Sequence, residues 1–211
     1  MSIVEVHTVP AEVALAPVFA PVVRPGLHRF SVDEYHNLPQ PSASNERIEL
    51  LDGWIIDMSP IGPSHVFIVE TLRDILTAIV VSSWHPRAQQ PITLATSEPQ
   101  PDIAVVKGKR SDYRERHPGG ADVGLVIEVV STSLDVDQQV KAPIYAAAGI
   151  PEYWIIDIAH RRAEVHRLPS GKVEDGLPGY RERVTVEADG ILSVVLEGRE
   201  LGQIRLADFF D

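Results

Sequence analysis

The chain has 211 residues, a formal charge of -11 and no cysteine. That length allows one domain with its own core, or one domain plus a small appendage. The lack of cysteine excludes disulfides, thiolate metal sites, iron–sulfur clusters and cysteine nucleophiles, and the acid excess is the reverse of the Lys/Arg footprint usual in nucleic-acid binders.

Residues 1–26 read as a mobile tail rich in Ala, Val and Pro, and 27–211 as a single domain. The start of the chain lacks a basic region and carries Glu5, Glu12 and four prolines, unlike a signal peptide. No apolar run reaches the roughly 18 residues of a membrane helix. A cytoplasmic protein that does not enter a membrane is expected.

Ser31-Val32-Asp33-Glu34 has the spacing of a helix-capping box and predicts a short helix to about Leu38. Residues 47–51 and 54–58 flank Asp52-Gly53, a strong hairpin signal. Over 64–82 the apolar residues Val66, Val69, Leu72, Ile75, Leu76 and Ile79 recur at helical spacing. Strands are expected over 90–95 and 101–107, then a charged loop over 109–120. The run 125–130 is almost continuously apolar, as strands covered on both faces are. A helix over 134–148, ended by Gly149, and a strand over 153–158 follow. Segments 163–168, 180–186 and 191–196 predict a C-terminal β-meander. The order of elements predicts an α/β (α+β) fold with a mixed sheet flanked by helices.

Glu128 breaks the apolar run 125–130. A buried ionised carboxylate without a partner costs several kcal/mol, so Glu128 is protonated, ion-paired or metal-bound. Asp102 opens a second apolar strand after Pro101. It is either an exposed strand-start Asp bonding its own backbone or, with Glu128, half of a pair suited to a hard cation such as Mg²⁺. Lys141 belongs to the helix joined to the Glu128 strand by Ser131-Thr132-Ser133. It is a solvated helix lysine, or one that holds water and steadies phosphate charge. Glu49 beside the hairpin turn is a surface charge or a further metal ligand. His65 is an ordinary helix-start residue or a contact to phosphate or metal. Gly-rich phosphate loops, nucleophile elbows and His-x-x-x-His pairs do not occur.

Several stretches then occur in a telling order: Glu-Leu-Leu-Asp-Gly (49–53), His65 opening a long helix, Pro-Asp-Ile-Ala-Val-Val (101–106), Ile-Glu-Val-Val-Ser (127–131), Asp-x-x-x-Lys (137–141) and Tyr-Ala-Ala-Ala-Gly-Ile-Pro-Glu-Tyr-Trp-Ile-Ile-Asp (145–157). The set resembles the Uma-two family, restriction-endonuclease-like proteins of the PD-(D/E)XK nuclease superfamily, over about residues 28–211. The resemblance implies a restriction-endonuclease-like fold and hydrolysis of DNA phosphodiester bonds with Mg²⁺ or Mn²⁺. It implies that Asp102 and Glu128 bind the metal, with the Val129 carbonyl, and that Glu49 matches the family's hairpin acid. The superfamily lysine falls two residues after Glu128, where this chain has Val130; Lys141 is expected to replace it. Gln138 stands where relatives often have Arg, and Pro143 interrupts the helix that presents Lys141. The resemblance also implies a homodimer. The alternative is a catalytically inactive nuclease-fold protein acting as a binding or regulatory module.

Overall fold

The computed structural model describes residues 27–38, 47–80, 83–131, 134–172 and 176–210. The tail expected over 1–26 lies outside the described residues, as do Thr132 and Ser133.

The first helix, α1 (Val32–His36), starts on the capping box read from sequence. The Glu34 N–H donates to Ser31 Oγ, and the Ser31 N–H donates back to Glu34 Oε2 at 2.8 Å. The hairpin pairs β1 (Ile48–Leu51) with β2 (Trp54–Asp57) antiparallel. Both turn residues have positive φ, 47° at Asp52 and 80° at Gly53, which suits the twist of a two-residue hairpin. A Cβ at Gly53 would also lie 2.8 Å from the Arg29 Cβ.

Helix α2 (Pro63–Ile79) buries Ile68, Val69, Leu72 and Leu76, one apolar stripe of the expected period. The central sheet has six strands in the order β3 (Trp84–Ala88), β4 (Ile103–Lys107), β5 (Val123–Val130), β6 (Glu152–Asp157), β7 (Arg162–Ser170) and β8 (Gly179–Val186). All neighbours are antiparallel except β5 and β6. That parallel pair needs a crossover, and the chain supplies a segmented helix: α3 (Leu134–Val136), a π-turn (Asp137–Lys141) and α4 (Ala142–Ala147). β9 (Ile191–Leu196) pairs with β10 (Arg199–Arg205) in a separate hairpin, and α5 (Ala207–Phe210) follows.

Each face of the sheet has its own core. Ile103, Val105, Leu125, Ile127, Trp154 and Ile156 pack with α2, α5 and the β9–β10 hairpin. Ala104, Val106, Val126, Tyr153 and Ile155 pack with Tyr145 of α4 and with Ile92 and Leu94. All of β5 is buried, which accounts for a sequence that is apolar but for Glu128. Gly124 permits the close packing of the hairpin, because a Cβ there would fall 2.7 Å from Leu196 and 2.8 Å from Trp84.

Two expectations are corrected. Residues 90–95 form no strand. Thr93 bonds to the Pro118 carbonyl and Leu94 to that of Ser97, so the segment is loop. The strand at that edge is Trp-His-Pro-Arg-Ala (84–88), and an edge strand tolerates Pro86 because one side of its backbone has no partner. The expected meander divides: β7 and β8 extend the central sheet, whereas β9 leaves it to pair with β10.

Candidate active site

Four buried carboxylates and one buried ammonium gather where β5 ends and the chain enters β4. Glu49, Asp102, Glu128, Asp137 and Lys141 are each at most 9% exposed. Burial excludes the readings of Asp102 and Glu49 as surface charges and of Lys141 as a solvated lysine. With His65, Gln100 and Arg47 they line a cleft of about 170 Å³, walled on one side by the loop 59–62.

Each residue arrives on a different element. Glu49 comes from β1, and its Oε2 accepts the Gln100 N–H at 3.2 Å. Asp102 stands just ahead of β4, and its Oδ2 accepts the Val129 N–H at 2.9 Å. His65 Nε2, from the first turn of α2, lies 2.9 Å from the same oxygen. Because a carboxylate only accepts, Nε2 carries the proton. The other ring nitrogen, Nδ1, is buried without a partner. Glu128 faces the α4 side of the sheet. Its Oε1 accepts from Lys141 Nζ at 3.0 Å and from the Tyr145 hydroxyl at 2.9 Å.

The π-turn explains how Lys141 reaches so far. Pro143 has no N–H to donate to the carbonyl four residues back, while the Ala142 N–H bonds to the Asp137 carbonyl, five residues back. The one-residue bulge turns Asp137, Val140 and Lys141 inward. Lys141 Nζ sits 3.0 Å from Glu128, 3.2 Å from Glu49 and 3.7 Å from Asp137. Pro143 therefore occupies the first turn of α4 and does no damage.

Burial pushes the Glu128 carboxyl up; Lys141 pulls it back, but Asp137, Asp102 and Glu49 push it up again, and it ends well above the carboxylate range. Burial pulls Lys141 down, and the charges of Glu128, Glu49 and Asp137 outweigh that and raise it. Lys141 thus stands among the carboxyl groups of Glu49, Asp102, Glu128 and Asp137, and even with Glu128 protonated the remaining acids outnumber it and favour a further cation. Two oxygens are little used. Asp102 Oδ1 accepts no hydrogen bond among the described residues, and Glu128 Oε2 has only a long 3.4 Å contact from the Asp102 N–H. Among the described residues no three His, Cys, Asp or Glu side chains are grouped as a metal cage requires. The cleft offers instead a pair of hard oxygen donors, which fits an ion that keeps several waters, as Mg²⁺ does.

Sequence reasoning missed Tyr145 and left His65 undecided. Tyr145 was legible: Asp137, Lys141 and Tyr145 stand four residues apart, the spacing of one helix face. His65 meets Asp102 across 37 residues of chain, which no local pattern shows.

The sequence profile of the Uma2 family, described as "Putative restriction endonuclease", matches residues 32–202. The chain belongs to the Uma2 family. A solved structure described as "a putative nuclease belonging to DUF820 from Anabaena variabilis ATCC 29413" superposes with a TM-score of 0.63. It is 17% identical, and the match covers 86% of this chain and 97% of that one. The Uma2 chain thus shares its mixed sheet and flanking helices with that protein. No curated protein matches this Uma2 member. Among the described residues no helix is long and apolar enough to cross a membrane.

Proposed function

We propose that this protein is a metal-dependent endonuclease that hydrolyses phosphodiester bonds of DNA. The observation that carries this reading is the meeting of Asp102, Glu128 and Lys141 in one cleft, with a surplus of buried negative charge. Asp102 and Glu128 would hold Mg²⁺ or Mn²⁺ through their little-used oxygens. The Val129 carbonyl joins them, since a strand residue's N–H and C=O share one edge and this N–H faces Asp102. Glu49 completes the shell or serves a second ion. When bound, the ion supplies charge neutralisation at the phosphate and a lowered pKa for its water.

The chain's own groups do the rest. The Lys141 ammonium positions the attacking water and stabilises charge growing on the phosphate oxygens. Tyr145 holds the Glu128 carboxylate in place. His65 and the Val129 N–H fix the rotamer of Asp102, so that its other oxygen is free. The first turn of α2, whose cap residue Gly62 makes no side-chain hydrogen bond, adds N–H groups at the cleft wall. Two copies acting as a homodimer would let each cleft address one strand, and sedimentation velocity would show a two-chain species.

The test is cleavage of plasmid and single-stranded DNA with Mg²⁺ or Mn²⁺. Asp102→Asn and Glu128→Ala abolish cleavage if the reading is right, and undiminished activity in both sinks it. One observation favours a second reading, a nuclease-fold protein without catalysis: Lys141 and Tyr145 already engage the same Glu128 oxygen. Calorimetry separates the two, because the inactive module gives no heat with millimolar Mg²⁺ or Mn²⁺.

A further inference from the structure

Positive charge in this acidic chain is concentrated. Residues 107–116, Lys-Gly-Lys-Arg-Ser-Asp-Tyr-Arg-Glu-Arg, carry five Lys or Arg against two acids, in a chain of net charge -11. This segment leaves β4 and folds over the outer edge of the sheet beside β3. Arg73, Arg87 and Arg110 line a cleft of about 350 Å³ there with His85, Gln90 and Tyr113, and no described Asp or Glu lines it.

The arginines differ in their partners. Arg73 is neutralised on its own helix by Glu70 at 2.8 Å and Asp74 at 3.1 Å. Arg87 has no carboxylate partner among the described residues. Its guanidinium lies 5.5 Å over the Tyr113 ring, and its Nε is buried with no hydrogen-bond partner. Arg110 is exposed at the rim and also lacks an acidic partner among the described residues. A buried guanidinium N–H left unpaired is costly, and its planar fork matches the oxygens of a phosphate. An external phosphate in the cleft would meet the outer N–H groups of the half-buried Arg87 fork and the exposed Arg110.

The cleft adjoins the candidate active site. The Gln89 N–H donates to the Asp102 carbonyl at 3.0 Å, and Gln90, the next residue, lines the basic cleft. Arg73 follows His65 by eight residues on α2, about 12 Å along the helix at 1.5 Å per residue. At 3.4 Å per step, that is roughly three to four nucleotides along a strand.

We propose that the cleft between α2, β3 and the 107–116 segment is a phosphate subsite that grips the nucleic-acid backbone a few nucleotides from the reacting phosphate, with Arg87 and Arg110 as its ligands. The identity of the ligand rests on the nuclease reading. The subsite reconciles a net-acidic protein with a polyanionic substrate: general repulsion is offset at one local strip.

The experiment is fluorescence anisotropy of a labelled 30-base-pair duplex with the full chain in EDTA, where binding is read without hydrolysis. Arg87→Met and Arg110→Glu are compared with Arg199→Glu, which makes on β10 the same charge change as Arg110→Glu. The exposed Arg110 site does not depend on whether Arg87→Met folds. Both cleft variants are expected to bind about tenfold more weakly, with the slope of log K against log salt reduced by about 0.9 for each phosphate no longer neutralised, while Arg199→Glu binds like the parent. If the parent binds the duplex and the cleft variants match it, the subsite is overturned and the nuclease reading stands. Inorganic pyrophosphate, followed by the NMR signal of the Arg87 Nε–H group, covers the remaining case. A shifted signal without duplex binding overturns the nucleic-acid ligand of this cleft in favour of a small phosphate compound, while the nuclease reading is judged by the cleavage assay with Mg²⁺ or Mn²⁺. No response to either overturns the site altogether.

Discussion

A single oxygen of Glu128 receives both the Lys141 ammonium and the Tyr145 hydroxyl. The two donors are not equivalent. Lys141 also serves Glu49 and Asp137, so Lys141→Met leaves three carboxylates without their cation. Breaking a buried pair typically costs about 3–5 kcal/mol, which urea unfolding will show. Millimolar Mg²⁺ should then stabilise the variant more than the parent, because the emptied site binds a cation more tightly. Tyr145→Phe removes one neutral donor and should cost only about 1–3 kcal/mol while cleavage persists at a reduced rate. Glu128 was legible because it interrupts an apolar run. The burial of Glu49 was not, because it depends on β1 lying beside the loop that leads into β4, a contact 51 residues away in sequence.

At the scale of elements, the π-turn is held from its far side. Gln138 donates from the turn to both carboxylate oxygens of Glu164 on β7, at 2.7 and 2.9 Å. Glu164 also meets His166 and Arg183. Burial alone would raise its pKa, but the hydrogen bond with His166, the Arg183 charge and the Gln138 amide win and lower it to about 2. A depressed carboxyl pKa stabilises the fold fully above the unfolded value near 4.5, and that contribution is lost as pH falls towards 2. Glu164→Gln should therefore be less stable than the parent at pH 7, with a smaller loss of stability between pH 4.5 and 2, as read from urea midpoints across that range. Gln138→Ala should fold like the parent but cleave more slowly, since the turn presenting Lys141 loses its tether. Elements with a clear pattern, such as the helical period of α2 and the apolar run of β5, were readable from sequence. β3 was not: an edge strand reading Trp-His-Pro-Arg-Ala needs neither alternation nor a full set of backbone donors. The π-turn was hidden as well, because its apolar spacing is that of an ordinary helix until Pro143 is placed against Asp137.

For the whole molecule, our reading is that residues 27–211 form one cooperative unit. A chain beginning at Leu27 should unfold in one thermal transition, at the midpoint of the full chain, as followed by circular dichroism. The mixed sheet between two cores was legible from the order of elements; the departure of β9 from that sheet was not, because a strand's sequence does not name its partner. The scattered origin of the cleft residues has a further consequence during synthesis. Glu49 and Asp102 leave the ribosome well before Lys141, and the crossover carrying Lys141 finds β4 and β5 already made but lacks its remaining partners until β6, and then Glu164 on β7, follow. A nascent chain thus carries the first acids of the cleft without Lys141 for a long stretch of its elongation. On the nuclease reading, cutting is withheld until about three-quarters of the protein exists, so a product abandoned before β7 is harmless to the nucleic acid around it.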